Sequence, residues 1–179
     1  MQDNKIAIYL PSLRGGGTER NMLYVAKGLV SEGYSVDLVL SMAKGPLMSD
    51  VPENIPIINL KASRPLKSIP GLVKYLTKNK PTIFLSALTY RNLVAIIAKK
   101  LSGSKTRLYV SERNTVSRNI KTRRKLTFPL IKLLYPLTDK VIAASKSLAD
   151  DHISKTKINK EIVEVIYNPA VTNGLFPLS

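Results

Sequence analysis

Along nearly the whole chain, short runs rich in Val, Ile and Leu alternate with longer stretches of helical periodicity, and that alternation admits few folds. The runs are Lys5 to Leu10, Ser35 to Ser41, Ile55 to Leu60, Thr82 to Ala87, Thr106 to Glu112, Asp139 to Ala144 and Ile162 to Tyr167. Several are continuously apolar, as strands covered on both faces must be. Between them, Met22, Val25, Ala26, Leu29 and Val30 recur at i, i+3, i+4, i+7 and i+8, one face of a helix. Thr18 is placed to cap that helix and Gly33 to end it in a left-handed turn. Ile69, Leu72, Val73 and Leu76 repeat the pattern before Pro81, and Leu93, Val94, Ile97 and Leu101 repeat it before Gly103. Right-handed crossovers turn such a series into a doubly wound, mainly parallel Rossmann-like α/β sheet. Residues 1–170 are expected to form this one domain, and 171–179 a linker or tail.

Sheets of this kind collect ligands at the carboxyl ends of their strands. The rule directs attention to Pro11–Arg20, Ser86–Arg91, Ser111–Ser117 and Ser145–Ser147. The sharpest of these is Leu13-Arg14-Gly15-Gly16-Gly17-Thr18-Glu19-Arg20, between the first strand and the first helix. Glycines let backbone approach a ligand closely, and a helix N-terminus offers unpaired N–H groups to an anion such as a diphosphate. Two details count against a dinucleotide fingerprint. Arg20 stands where a third small residue would pack helix on strand, and Asp37 lies early in the second strand rather than at its end. No Gly-x-x-x-x-Gly-Lys-Ser/Thr occurs, so it is not a P-loop either.

Composition removes other classes. The chain has no cysteine and one histidine, so disulfide frameworks, thiolate metal sites and multi-histidine metal sites are out of reach, and no metal is expected. His152, beside Asp150 and Asp151, is expected at the surface of a helix. The start of the chain shows no signal-peptide pattern, and no apolar run is long enough to span a bilayer; a cytoplasmic location is expected. The net charge of +16 draws the chain toward phosphorylated ligands, anionic lipid or nucleic acid.

The stretch Gly15-Gly16-Gly17-Thr18-Glu19-Arg20, followed by Leu23-x-x-Ala26-x-x-Leu29-x-x-x-Gly33-Tyr34-x-Val36, resembles the opening of the family 4 (group 1) glycosyltransferases. Val141-Ile142-Ala143-Ala144-Ser145-Lys146-Ser147 is similar to that family's strand ending in Ser-x-Ser, and Val165-Ile166-Tyr167-Asn168-Pro169 to the junction that closes its first domain. The resemblance implies one half of a GT-B fold: an N-terminal, acceptor-side domain without the donor domain that carries the family's paired glutamates. It further implies retention of anomeric configuration, a nucleotide-sugar donor (UDP-linked by expectation) and no cofactor. By itself the chain is then expected to be inactive. Gly15, Gly16, Gly17, Thr18, Glu19 and Arg20 become donor- or acceptor-binding candidates, with Ser86, Thr89, Arg91, Asn114 and Ser145 lining the same crevice. Glu19 could equally complement the helix dipole, and Thr89 could equally cap a helix.

Many family members place a histidine after the fifth strand, where this chain has Ser111-Glu112-Arg113-Asn114. Glu112 and Arg113 are the catalytic candidates here, one to accept an acceptor hydroxyl's hydrogen bond and the other to pair with a phosphate. The alternative is an internal Glu112–Arg113 ion pair that shapes the loop.

A second feature is basic. From Lys99 to Lys132 the single acid is Glu112, and Arg118, Lys121, Arg123, Arg124, Lys125 and Lys132 could face an anionic membrane. At about 1 kcal/mol per cation they would supply at most about 6 kcal/mol, enough for reversible peripheral attachment. Leu126, Leu130, Leu133, Leu134 and Leu137 form a stripe expected to face the core, and Pro129 is expected to break or kink their helix. Two other readings use the same residues: a basic nucleic-acid-binding module and a stand-alone nucleotide-binding domain. With aromatics at 6% and no Trp, there is little material for base stacking.

Overall fold

The computed structural model describes residues 4–113 and 124–168; of Arg124, Lys125 and Leu126 it describes the backbone alone. Its strands are β1 Lys5–Leu10, β2 Ser35–Leu40, β3 Ile57–Asn59, β4 Ile83–Ala87, β5 Arg107–Glu112, β6 Lys140–Ala143 and β7 Val163–Val165. Every pairing is parallel, and the order across the sheet is β3-β2-β1-β4-β5-β6-β7. The helices are α1 Gly17–Ser31, α2 Ile69–Asn79, α3 Thr89–Ser102, α4 Arg124–Leu134 and α5 Lys146–Thr156. The expected α/β, doubly wound Rossmann-like sheet is therefore present.

Strand periodicity divides the core in two. Ile6, Ile8 and Leu10 of β1 with Val36, Leu38 and Leu40 of β2 pack against Met22, Leu23 and Ala26 of α1. The alternate residues Ala7, Tyr9, Phe84, Leu108, Val110 and Val141 face the other way, against α2, α3 and α4. The chain winds outward from β1 through β2 to β3, then returns to start β4 on the other side of β1. Successive right-handed crossovers thus lay α1 on one face and the later helices on the other. Between the ends of β1 and β4 the winding reverses, leaving a crevice that no crossover covers.

Asp37 has a structural task. It is buried in β2, ion-paired with Lys5 at 2.8 Å and accepting a hydrogen bond from the Tyr75 hydroxyl at 2.6 Å. Burial first, and the adjoining carboxylate second, push the Tyr75 hydroxyl well above its ordinary pKa, so it remains a donor.

Several local expectations are corrected. Thr18 does not cap α1: Gly16 holds that position in extended backbone, without a side-chain cap. Gly33 does take the left-handed conformation, φ 86°. Leu101 is exposed; the buried face of α3 is formed instead by Thr89, Asn92, Leu93, Val94, Ala95, Ile96 and Ala98. Helix α4 passes through Pro129 instead of breaking there, the ring lying on its exposed side where one lost hydrogen bond costs least. Nor do most of its described leucines face inward. Thr127, Ile131 and Tyr135 are buried, Leu134 is partly buried, and Leu130, Leu133 and Leu137 are exposed. The helix is rotated by about one residue, roughly 100°, from the expected stripe, which brings Tyr135 over the end of β5.

Candidate functional site at the carboxyl edge of the sheet

Because all seven strands run parallel, the segments that follow them emerge along one edge. At the end of β1, Leu13 is fully buried and anchors the glycine loop to the α1 face of the core. Gly15 adopts φ 93°, a value open to glycine, and turns the chain so that Gly16 and Gly17 stand exposed. The first helical hydrogen bond of α1 runs from Arg20 N to Gly16 O, at 3.0 Å. The amides of Gly17, Thr18 and Glu19 precede it and point out of the helix, as at any helix start. No side chain caps them. Glu19 folds back over Gly16, so near that a Cβ there would lie 2.5 Å from its Oε2. An acid three residues into a helix complements the dipole from this position.

The loop is held from below by a residue that sequence reasoning passed over. Gly45, in the segment after β2, has φ 124°, and a Cβ on it would overlap the Leu13 carbonyl and the Arg14 amide nitrogen. Around this contact Leu13 N donates to Lys44 O at 3.0 Å, and Leu47 N to Leu13 O at 3.2 Å. The two loops are stitched backbone to backbone. Pro46, against Gly15, begins the single 3-10 turn that follows.

Across the crevice, β4 ends at Ala87 and is followed by Leu88, which has φ 79° and ψ 127°. For a residue with a branched side chain this is a strained conformation, worth about 1–3 kcal/mol, of the kind that gathers at ligand sites. It is kept because Leu88 N donates to Ser111 O of β5 while Leu88 O accepts from Arg91 N and Asn92 N at the start of α3.

The candidates beyond the glycine loop fall into two groups. Ser86 and Thr89 do not line an open crevice. Ser86 is fully buried beneath α3, and Thr89, also buried, gives its hydroxyl to Glu112 Oε2 at 2.9 Å. Thr89 is not a cap either, since Leu88 occupies that place. Ser145 caps α5, its Oγ accepting from Leu148 N at 3.3 Å and lying 3.1 Å from Ser147 Oγ. Arg91 and Arg113 are half-buried, and Arg91 Nη1 and Arg113 Nε are buried with no hydrogen-bond partner among the described residues. Asn114, Arg118, Lys121 and Arg123 lie outside the described residues, as do the side chains of Arg124 and Lys125; Lys132 is exposed.

Glu112 is not presented to a substrate. It is fully buried at the end of β5. Its Oε1 accepts from Asn92 Nδ2 at 3.0 Å and from the Tyr135 hydroxyl, and its Oε2 from Thr89. His152 Nε2 stands 3.8 Å from the same Oε2. His152 is thus at the heart of the core rather than on the surface, where its neighbouring aspartates had placed it. Burial, then the Glu112 charge, push the Tyr135 hydroxyl well above its ordinary pKa and keep it a donor. The node ties β5 to α3, to the turn after α4 and to α5. It also rules out the alternative Glu112–Arg113 ion pair: both carboxylate oxygens are taken by Asn92, Tyr135 and Thr89, and Arg113 pairs with Asn168 instead.

Among the described residues, no group of three or more His, Asp or Glu side chains could hold a metal ion.

The fold has counterparts among known proteins. The glycosyltransferase family 4 profile matches residues 15–173. A Campylobacter jejuni protein, N-acetylgalactosamine-N,N'-diacetylbacillosaminyl-diphospho-undecaprenol 4-alpha-N-acetylgalactosaminyltransferase, is 29% identical over 92% of this chain and 47% of its own. The lipopolysaccharide outer core galactosyltransferase WaaB superposes with a TM-score of 0.72 at 18% identity, over 92% of this chain and 46% of that one. Anabaena HepE, solved with UDP-glucose, superposes with a TM-score of 0.69 at 17% identity, over 92% and 43%. This chain therefore spans less than half the length of each of these proteins.

The stitch between the loops yields a test. Gly45→Ala should lower stability by about 1–3 kcal/mol or more, since strain and overlap combine, whereas Gly33→Ala, with open space around it, should cost about 1 kcal/mol. Urea denaturation of the two variants checks the order; equal losses would show that the loops are not locked together. With a sheet reversed between β1 and β4, a glycine loop opening α1 at that reversal, and a family profile matched from that loop onward, the chain belongs to glycosyltransferase family 4 and has the Rossmann-like form of one GT-B half.

Proposed function

We propose that this chain is the acceptor-side half of a retaining glycosyltransferase that moves a sugar from a UDP-linked donor to a saccharide or lipid-linked acceptor. The observation that carries the reading is the exposed Gly16-Gly17 start of α1 at the reversal point of the sheet. Sugar transfer from a nucleotide builds negative charge on the departing diphosphate. Backbone amides fixed in place before the reaction stabilise such charge without reorganising. Positive potential from the +16 net charge adds to them. The Campylobacter relative is named for transfer onto a diphospho-undecaprenol-linked sugar and HepE was solved with UDP-glucose, and both support this choice of substrates.

One open edge cannot exclude water from a glycosyl cation. A second domain closing over it would, and would bring the catalytic glutamates of the family. On this reading the nucleotide sugar is a substrate rather than a resident cofactor, and Glu112 is structural. Transfer of labelled sugar from UDP-glucose, UDP-galactose and their N-acetylated counterparts to a polyprenyl-diphosphate saccharide should be undetectable with this chain alone. It should appear when a family 4 donor domain is fused after residue 179. Transfer by the chain alone would overturn the division of labour, and none from any fusion would argue against the reading itself.

The outward leucines bear on the lipid. No described helix is long and apolar enough to cross a membrane. Leu130, Leu133 and Leu137 are 40%, 70% and 44% exposed, close to Lys132. Inserted among acyl chains, each would contribute on the order of 1 kcal/mol, comparable to one cation near anionic headgroups. We propose that α4 rests on the membrane with leucines as well as cations toward it, and so delivers a lipid-linked acceptor to the crevice. In flotation with phosphatidylglycerol vesicles, Leu133→Glu should reduce the bound fraction at constant salt. Binding that is unchanged in this variant but abolished by salt would leave charge alone responsible.

A further inference from the structure

Three described cations, Lys5, Lys140 and Lys155, have carboxylate neighbours: Lys5 with Asp37, Lys140 with Glu164, and Lys155 with Asp151. Arg113 is different. It follows β5 directly and is half-buried, and burial lowers its pKa from the ordinary arginine value. Burying an ionised group away from water is costly unless a counter-charge is close. Yet its partner is the neutral side-chain oxygen of Asn168, to which Nη1 donates, and its Nε is buried with no partner among the described residues. The one acid beside it in sequence, Glu112, is fully engaged by Asn92, Thr89 and Tyr135 on the far side of the strand.

The surroundings of Arg113 have the same sign. Ala144 N donates to Glu112 O at 3.3 Å, which sets the end of β6 and the start of α5 beside Arg113. Helix α5 is 11 residues long and presents the positive end of its dipole there. A planar guanidinium whose Nε has no partner among the described residues is shaped for two parallel hydrogen bonds to a tetrahedral oxyanion. We propose that Arg113 is an anion receptor at the carboxyl edge, and that the group it takes is a diphosphate. Binding supplies the counter-charge that no described residue provides, and the amide of Asn168, in the segment leaving β7, is released as the guanidinium turns to the ligand.

The glycosyltransferase reading enters only in naming the anion as a diphosphate, which both a nucleotide and a polyprenyl carrier possess. The test therefore measures binding and not transfer, so it can fail while transfer stands. Calorimetry of the wild-type chain with inorganic pyrophosphate, UDP and farnesyl diphosphate at about 150 mM salt, where longer-range attraction is screened, should show saturable binding of pyrophosphate. Arg113→Gln should weaken it about tenfold or more, Arg113→Lys should restore part of the loss, and Arg107→Gln, at the opposite end of β5, should leave it unchanged. Tighter binding of UDP than of farnesyl diphosphate would identify the donor as the source, and the reverse the acceptor. Equal affinity in Arg113→Gln, or equal losses at Arg107 and Arg113, would overturn the proposal. Should Arg113→Gln fail to fold, phenylglyoxal modification of the wild type decides: pyrophosphate should slow reaction at Arg113 and not at Arg107, and lack of protection overturns the inference.

Discussion

The sheet of this protein reverses its winding between β1 and β4, and the rest of its chemistry depends on that reversal. Crossovers that depart in opposite directions cannot cover the gap between the two strand ends. One wall of the gap is backbone, the glycine loop leading into α1. The other is the strained Leu88 corner leading into α3. Neither wall is free to relax. Gly45 locks the first to the segment after β2, and the Ser111 carbonyl holds the second to β5. A pair of rigid walls with outward amides is what anion binding without reorganisation requires.

Beneath this edge the polar groups separate into two sets. Asn92, Thr89 and Tyr135 donate to the buried Glu112 carboxylate, with His152 beside it, and the cluster joins three helical elements to β5. A buried carboxylate with that many donors is costly to disturb, because each partner would be left unsatisfied. Its inward commitment has a consequence for the surface. Arg113 at this edge pairs with no acid among the described residues, so positive charge is kept where a phosphorylated ligand would arrive.

Much of this was legible in the residues. Continuous apolar runs bounded by glycine, proline and polar turns located all the strands, and the Gly15-Gly16-Gly17 bend declared the edge that matters. Strand ends were less legible: Ile55 reads as strand, yet its amide bonds back to Pro52 in a turn. Helix α4 carries two interleaved apolar rows, and periodicity alone prefers the leucines. Tertiary structure chose Thr127, Ile131 and Tyr135 because the tyrosine hydroxyl can reach Glu112. His152 was hidden by its acidic neighbours, although Leu148, Ala149, His152 and Thr156 lie on one helical face. Gly45 gave no local signal at all, since its necessity arises from a loop some thirty residues earlier that only the folded sheet brings alongside.

The central claim is that bare amides at the start of α1 meet the diphosphate of the donor. Amide chemical shifts of a 15N-labelled sample, followed as UDP is added, report on it residue by residue. The account predicts that the Gly16, Gly17 and Thr18 resonances shift together and saturate, while Gly33 and Gly103, at the distant ends of α1 and α3, stay in place. Saturable shifts confined to other parts of the chain, with those three amides unmoved, would contradict it.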